Sequence, residues 1–265
     1  MSRPTRSNTG TALLLNDVKS FLTETGEIAR FALRFFREGF RPRYEVQEFV
    51  HQCFVIGYQS FPLVGLTAFI IGLVLTMQLR PTMVSYGVEV QIPAMVGIAI
   101  VREIGPIVTA LIFAGKIGSS IGAELGSMKV TEQIDAMEVS GTNPFKYLVV
   151  TRTLAAMLML PLLVVMSDAI ALYGSYLAVN IYKPLTFNLF FKKVFDYLAY
   201  IDVVPAFIKT FFFGFAVGII GCYKGYYSNK GTEGVGHSAN SSVVVSSVLI
   251  FILDLIAVQV ADLFQ

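Results

Sequence analysis

The chain has 265 residues, of which 55 % are hydrophobic and only 14 % charged, and its mean hydropathy is +0.67. A soluble domain carries nearer a quarter of charged residues, so the composition excludes an ordinary soluble globule and describes an all-α polytopic membrane protein. A formal net charge of +2 is too small to argue for a nucleic-acid partner. Two cysteines, Cys53 and Cys222, lie in or beside apolar segments, which argues against a structural disulfide or a metal site.

The first thirty residues lack a short apolar core followed by a small-residue cleavage site, so no cleavable signal peptide is expected. Residues 1–45 form the first unit, a polar start followed by an amphipathic stretch. Over 13–37 the periodicity is helical: Leu14, Val18, Phe21, Leu22, Ile28, Ala29, Ala32, Leu33 and Phe36 share one face, with Lys19, Glu24, Glu27, Arg30, Arg34 and Arg37 on the other. This pattern predicts a helix lying in the membrane interface, its arginines available to anionic headgroups.

Residues 46–265 form the second unit, with five apolar segments at about 52–79, 92–122, 147–182, 203–223 and 239–263. A spanning helix needs roughly 20 residues. The first and third are longer and contain Pro62 and Pro161, so they tilt, kink or extend beyond the hydrocarbon. Eight Lys and Arg residues precede position 45, further ones (Lys129, Lys146, Arg152, Lys224, Lys230) follow the second and fourth segments, and the opposite side has Arg80, Lys183, Lys192 and Lys193. By the positive-inside rule the N-terminus is cytoplasmic and five crossings put the C-terminus outside. Residues 185–200 then read as an amphipathic element lying on the outer face.

Small residues recur every fourth position in segment two (Ala110, Ala114, Gly118, Gly122, Gly126), with Gly115, Ser119 and Ala123 beside them; segment four adds Gly214, Gly218, Gly221 and Gly225. Such spacing lets helices approach closely in lipid. It serves packing within one bundle or a homodimer interface equally well.

Five ionisable side chains fall inside the spans: Arg102, Glu103, Asp168, Lys209 and Asp254. Each costs at least about 2.5–3.5 kcal/mol in hydrocarbon unless it faces protein or water and finds a partner. At a rise of about 1.5 Å per residue, Lys209 and Asp254 lie roughly 9 Å from the outer edge, Arg102 about 15 Å in, and Asp168 near the outer boundary. Three readings are open: a hydrated cavity for a charged headgroup, ion pairs that fix helix register, or an ion relay in a secondary carrier. Successive helical residues point about 100° apart, so one of Arg102 and Glu103 is expected to face the cavity and the other a neighbouring helix.

A short helix is expected over about 131–140, capped by Thr131, with Glu132 and Asp135 in its first turns and Ser140-Gly141 as its stop. It exposes Ile134 and Met137, with Glu132, Asp135 and Glu138 around them. It is either a plain connector or a peg that docks in a cytosolic partner. Asn143-Pro144 opens segment three. No G-x-x-x-x-G-K-[ST] pattern occurs, nor a catalytic triad, a paired-carboxylate site or a Cys/His cluster, so any nucleotide hydrolysis falls to another chain.

The string VREIGPIVTALIFAGKIGSSIGAELGSMKVTEQIDAMEVSGTNPFKYLVVTR and the later IKTFFFGFAVGIIGCYKGYYSNKGTEGVGHSANSSVVVSSVLIFILDLI resemble the signature of MlaE-type permeases of ABC lipid transporters. The resemblance covers about residues 45–262. It implies a non-catalytic subunit in a bacterial inner membrane, a homodimer paired with cytosolic ATPase subunits that hold ATP and Mg, and a periplasmic ring of MCE-domain protein. The substrate it implies is phospholipid, moved to maintain outer-membrane asymmetry. It further implies that 131–140 is the coupling helix, with Glu132, Ile134, Asp135, Met137 and Glu138 toward the ATPase, and that Leu75, Gln78, Tyr86, Arg102 and Glu103 contribute to a lipid pocket at the dimer interface. Lys209 and Asp254 match charged positions of the family motifs. The family usually has arginine where His237 stands and often another basic residue near Ser242. An autonomous ion- or proton-coupled carrier is the alternative from a different class.

Overall fold

The computed structural model describes residues 8–39, 45–229 and 231–263; side chains at 8–18, 20 and 21 are outside that description. Leu14, Val18 and Phe21 of the amphipathic face, and Arg3, Arg6, Arg41, Arg43 and Lys230 of the charge count, therefore lie outside the described residues.

Among the described residues all regular structure is helical. Helix α1 (Asn8–Gly39) precedes α2 (Val46–Ser85). Helix α3 (Glu89–Val130) contains two π turns, Ile100–Ile104 and Ala114–Gly118. The short α4 (Gln133–Val139) leads into α5 (Phe145–Tyr182). Helix α6 (Phe187–Tyr197), α7 (Tyr200–Tyr226) and α8 (Thr232–Asp262) complete the chain. Five of these, α2, α3, α5, α7 and α8, are long and apolar enough to cross a membrane. Each runs past its expected apolar limits at one end or both, because flanking residues continue the helix to its caps.

In lipid the hydrophobic effect does not drive one helix onto another, so close backbone approach does that work. Helices α2 and α5 meet at Gly72, where a methyl group would overlap the Ala171 carbonyl, and at Gly174, whose Cβ would sit 2.5 Å from the Phe69 carbonyl oxygen. Gly214 abuts the Ala156 carbonyl oxygen of α5 at 2.6 Å from its virtual Cβ, and Gly225 abuts the Gly122 carbonyl oxygen of α3 at 2.9 Å. Gly122 in turn faces the Ser242 hydroxyl of α8 at 2.6 Å. Except for Gly115, which has nothing within 4 Å, the glycines of segments two and four are thus used in packing within the chain. Ser242 is fully buried, which leaves no room at that position for a long basic side chain.

All five members of the four-residue series Ala110, Ala114, Gly118, Gly122 and Gly126 are buried. Four residues overshoot a 3.6-residue turn by about 40°, and a straight α-helix would rotate the series off the interface. The π turn at Ala114–Gly118 holds an extra residue and takes up that drift.

The outer elements depart from simple interfacial helices. Phe31 and Phe35 of α1 are buried against Phe145, Tyr223 and Tyr226, Tyr223 donates to Glu27 at 2.7 Å, Lys224 pairs with Glu24, and Arg34 lies over the Phe145 ring at 4.3 Å. The bundle ends thus cover one face of α1 with protein. Leu22, Leu33 and Phe36 stay exposed on a neighbouring stripe beside exposed Arg30 and Arg37, so α1 carries two apolar faces and one of them remains for lipid. Helix α6 likewise buries Phe190 and Val194 against Ile92, Val96 and Ile100 while Phe187 and Phe195 stay exposed.

Candidate functional site

The first π turn of α3 carries Arg102 and Glu103 toward α7 and α8. Lys209 of α7 is 5 % exposed; its Nζ donates to Glu103 Oε2 at 2.6 Å and to Asp254 Oδ1 at 2.9 Å. Asp254 continues the buried series Ser238, Ser242, Ser246 and Ile250 by which α8 meets the bundle. An ammonium held by two carboxylates in this setting satisfies the requirement for a partner at membrane depth.

Arg102 reaches away from the triad. Its guanidinium lies 3.5 Å from Asp202 at the start of α7 and 3.1 Å from Asp262 at the end of α8. Asp202 also accepts the Ala199 backbone N–H at 3.2 Å, so it closes the first turn of α7 while it faces Arg102. Arg102 therefore lies toward the helix ends rather than below Lys209, and both it and Glu103 address α7 and α8. A wide π turn and a long guanidinium side chain overcome the 100° offset expected of neighbours. Asp202 and Asp262 escaped the sequence reading because carboxylates at helix ends carry no signal of their own.

The cleft between these groups, lined by Arg102, Glu103, Asp202, Pro205, Lys209 and Val258, has a volume of about 20 Å³, room for a water but not for a headgroup. Leu75 packs, partly buried, against the apolar cluster that holds Ile92, Val96, Phe190 and Val194. Gln78 and Tyr86 are exposed and do not border that cleft. Within one chain Arg102 and Glu103 therefore share that cleft, while Leu75, Gln78 and Tyr86 lie apart from it.

Asp168 does not join the charged cluster. It lies against Gly105 and directly follows Ser167, whose hydroxyl accepts a hydrogen bond of 2.9 Å from Thr109, one turn on from Gly105, and its Oδ1 is buried without a hydrogen-bond partner among the described residues.

Helix α4 also departs from expectation. Thr131 donates to the Ser127 carbonyl at 2.9 Å and ends α3 rather than capping α4. Glu132 takes that place in a left-handed conformation, φ 57°, the one positive φ at a non-glycine position among the described residues. Ile134 is buried in the main core, so it plugs α4 into the bundle. Asp135 pairs with Lys129 at 2.7 Å. The outward surface consists of Glu132, Gln133, Asp135, Ala136, Glu138 and Val139, with Met137 half-buried. Gly141, at φ 82°, provides the expected stop. Asn143 Oδ1 accepts the Lys146 N–H at 3.3 Å to start α5.

The family model for Permease MlaE matches residues 49–260. The chain belongs to the MlaE permease family. It is 41 % identical over 234 residues to a probable ABC transporter permease protein of Rickettsia typhi, covering 88 % of this chain and 90 % of that one. It is 37 % identical to a probable ABC transporter permease protein of Pyropia yezoensis over 78 % of this chain and 79 % of the other. Protein TRIGALACTOSYLDIACYLGLYCEROL 1, chloroplastic, of Arabidopsis thaliana is 34 % identical over 76 % of this chain and 57 % of its own length. The match spans all five membrane helices and α4. As an MlaE-family ABC permease, the chain is a multi-pass membrane subunit that works with an ATPase.

Proposed function

We propose that this MlaE-family permease is the lipid-conducting subunit of an ATP-driven transporter that moves phospholipids between the inner membrane and a periplasmic MCE-protein ring, in support of outer-membrane lipid asymmetry. It acts without catalysing a reaction; ATP and Mg reside on a separate ATPase chain. The N-terminus and α4 face the cytoplasm and the C-terminus the periplasm.

The observation that carries the reading is the charged cluster on α3, α7 and α8. Lys209 bridges Glu103 and Asp254 beside a cleft too small for a headgroup. One chain thus supplies polar chemistry at membrane depth without an enclosure. A second copy encloses it: α8 is only 11 % buried over its apolar window and α2 only 28 %, and exposed Gln78 and Tyr86 complete the pocket from α2. Arg102 and Lys209 stand among Glu103, Asp202, Asp254 and Asp262, a formal excess of two negative charges that suits the ammonium of an aminophospholipid. The lipid word in the name of the Arabidopsis relative agrees with a lipid cargo.

The test is reconstitution of the chain with its ATPase in vesicles holding a fluorescent aminophospholipid, with an MCE-domain acceptor outside. ATP-dependent transfer is expected. Transport of an ion or solute down a proton gradient, with no ATPase bound, would establish the secondary-carrier alternative instead.

A further inference from the structure

Three of the four basic residues that the sequence scatters over the far side of the chain gather in one recess. It lies between the ends of α2 and α5, the first turn of α3 and the face of α6, away from the Glu103–Lys209–Asp254 cluster. Its volume is about 210 Å³, and Arg80, Lys183 and Lys193 line it with Glu89, over apolar walls that include Ile92 and Val179.

The cations are incompletely matched. Arg80 stacks on the Tyr182 ring, its guanidinium carbon 4.1 Å from the centroid. Its Nη2 is 3.4 Å from Glu89 Oε1, longer than the 2.7–2.9 Å of a strong charge-assisted hydrogen bond. Its Nε is buried and without a hydrogen-bond partner among the described residues. Lys193 Nζ donates to the Val90 carbonyl at 3.2 Å, a neutral acceptor. Lys183 has no ion-pair partner among the described residues. Three cations face one carboxylate, so the recess holds a formal excess of two positive charges. A buried N–H without an acceptor costs stability until an acceptor arrives.

We propose that this recess binds the phosphate of a phospholipid headgroup. At about 210 Å³ it falls below the roughly 300–1,000 Å³ of sites that enclose a whole small molecule, which fits a headgroup whose acyl chains stay outside. Val90, which lines it, and Tyr182, which lies under Arg80, are exposed and available to those chains. A planar guanidinium held by an aromatic ring presents its N–H groups to phosphate oxygens, and the two lysines add point charges. The inference rests on the chain's being a membrane protein and not on the transport reading.

The chain contains no tryptophan, which permits a local probe. Tyr182→Trp keeps an aromatic face under Arg80 and gives the full-length chain one tryptophan, at this recess, which is excited selectively at wavelengths where tyrosine does not absorb. In detergent micelles, titration with dioleoylphosphatidylglycerol is expected to give a saturable change in emission that phosphate-free dioleoylglycerol does not give. Adding Arg80→Gln with Lys193→Gln weakens the response at least tenfold, and Glu89→Gln strengthens it several-fold. An equal response to dioleoylglycerol overturns the proposal, as does an affinity unmoved by the substitutions. Saturation by inorganic phosphate at the same concentrations overturns the lipid assignment in favour of a soluble anion. If the double variant does not fold, Glu89→Gln decides alone, and an unchanged affinity counts against the site. A chain that passes this test yet shows no ATP-driven transfer would refute the transport reading only.

Discussion

Lys209 Nζ stands 2.6 Å from Glu103 Oε2 and ties α7 to the first π turn of α3. The same nitrogen holds Asp254 of α8, so one ammonium joins three membrane helices. Removing it leaves two carboxylates facing each other inside the bundle. Breaking a buried pair from one side costs about 3–5 kcal/mol; because Glu103 keeps 33 % side-chain exposure, Lys209→Met is expected at the lower end, about 3 kcal/mol. Adding Glu103→Gln and Asp254→Asn should recover most of that loss. Thermal unfolding in detergent measures both, and a triple variant no more stable than the single one would show that the triad does not act as a unit.

Glu103→Gln alone tests function apart from folding. Glutamine keeps an acceptor for Lys209, whose charge remains matched by Asp254. Assembly is expected to be intact and lipid transfer reduced about tenfold or more in the reconstituted transporter. Failure to assemble, seen by size-exclusion chromatography, would make the cluster a register-fixing device only.

The glycine contacts give a paired test. Gly72→Ala must displace the Ala171 backbone and is expected to cost about 2 kcal/mol or more, in the range of overpacked cores. Gly115→Ala meets nothing within 4 Å and should gain up to about 1 kcal/mol from helix propensity. Equal effects of the two substitutions on thermal stability would contradict the packing described.

Charge reversal at Glu132 and Glu138, with Val139→Asp, alters the outward face of α4 while leaving Ile134 seated in the core. The partner ATPase is expected to be lost from pull-downs with no change in the stability of the permease. Separately, Glu132→Gly removes the cost of a left-handed non-glycine residue, about 1 kcal/mol. It should preserve the fold, so any loss of ATPase stimulation reports the charge.

The five spans were legible because about 20 apolar residues in a row admit few other solutions. Depth counting brought Lys209 and Asp254 to a common level and put Arg102 and Glu103 a little deeper, whereas the structure pairs Lys209 with Glu103 as directly as with Asp254. The count gave no hint that Asp168 lies against Gly105, two residues beyond Glu103. Ile134 looked exposed because a nine-residue polar loop suggests no neighbour, and only the fold shows the core above it. The Arg80 recess was invisible for the same reason: its three cations come from α2, the end of α5 and α6, which no local pattern links.

The π turns of α3 set a helical phase. Ile100–Ile104 lies between the start of α3 and the small-residue series, so deleting one residue there would relax it to an ordinary α turn and rotate all that follows by about 100°. Arg102 and Glu103 would then address α7 from one side while Gly118 and Gly122 turned away from Gly221 and Gly225. The span would keep its hydrophobicity and its length to within one residue, yet lose its fit to the bundle. For this helix, residue count is as strict a constraint as residue identity.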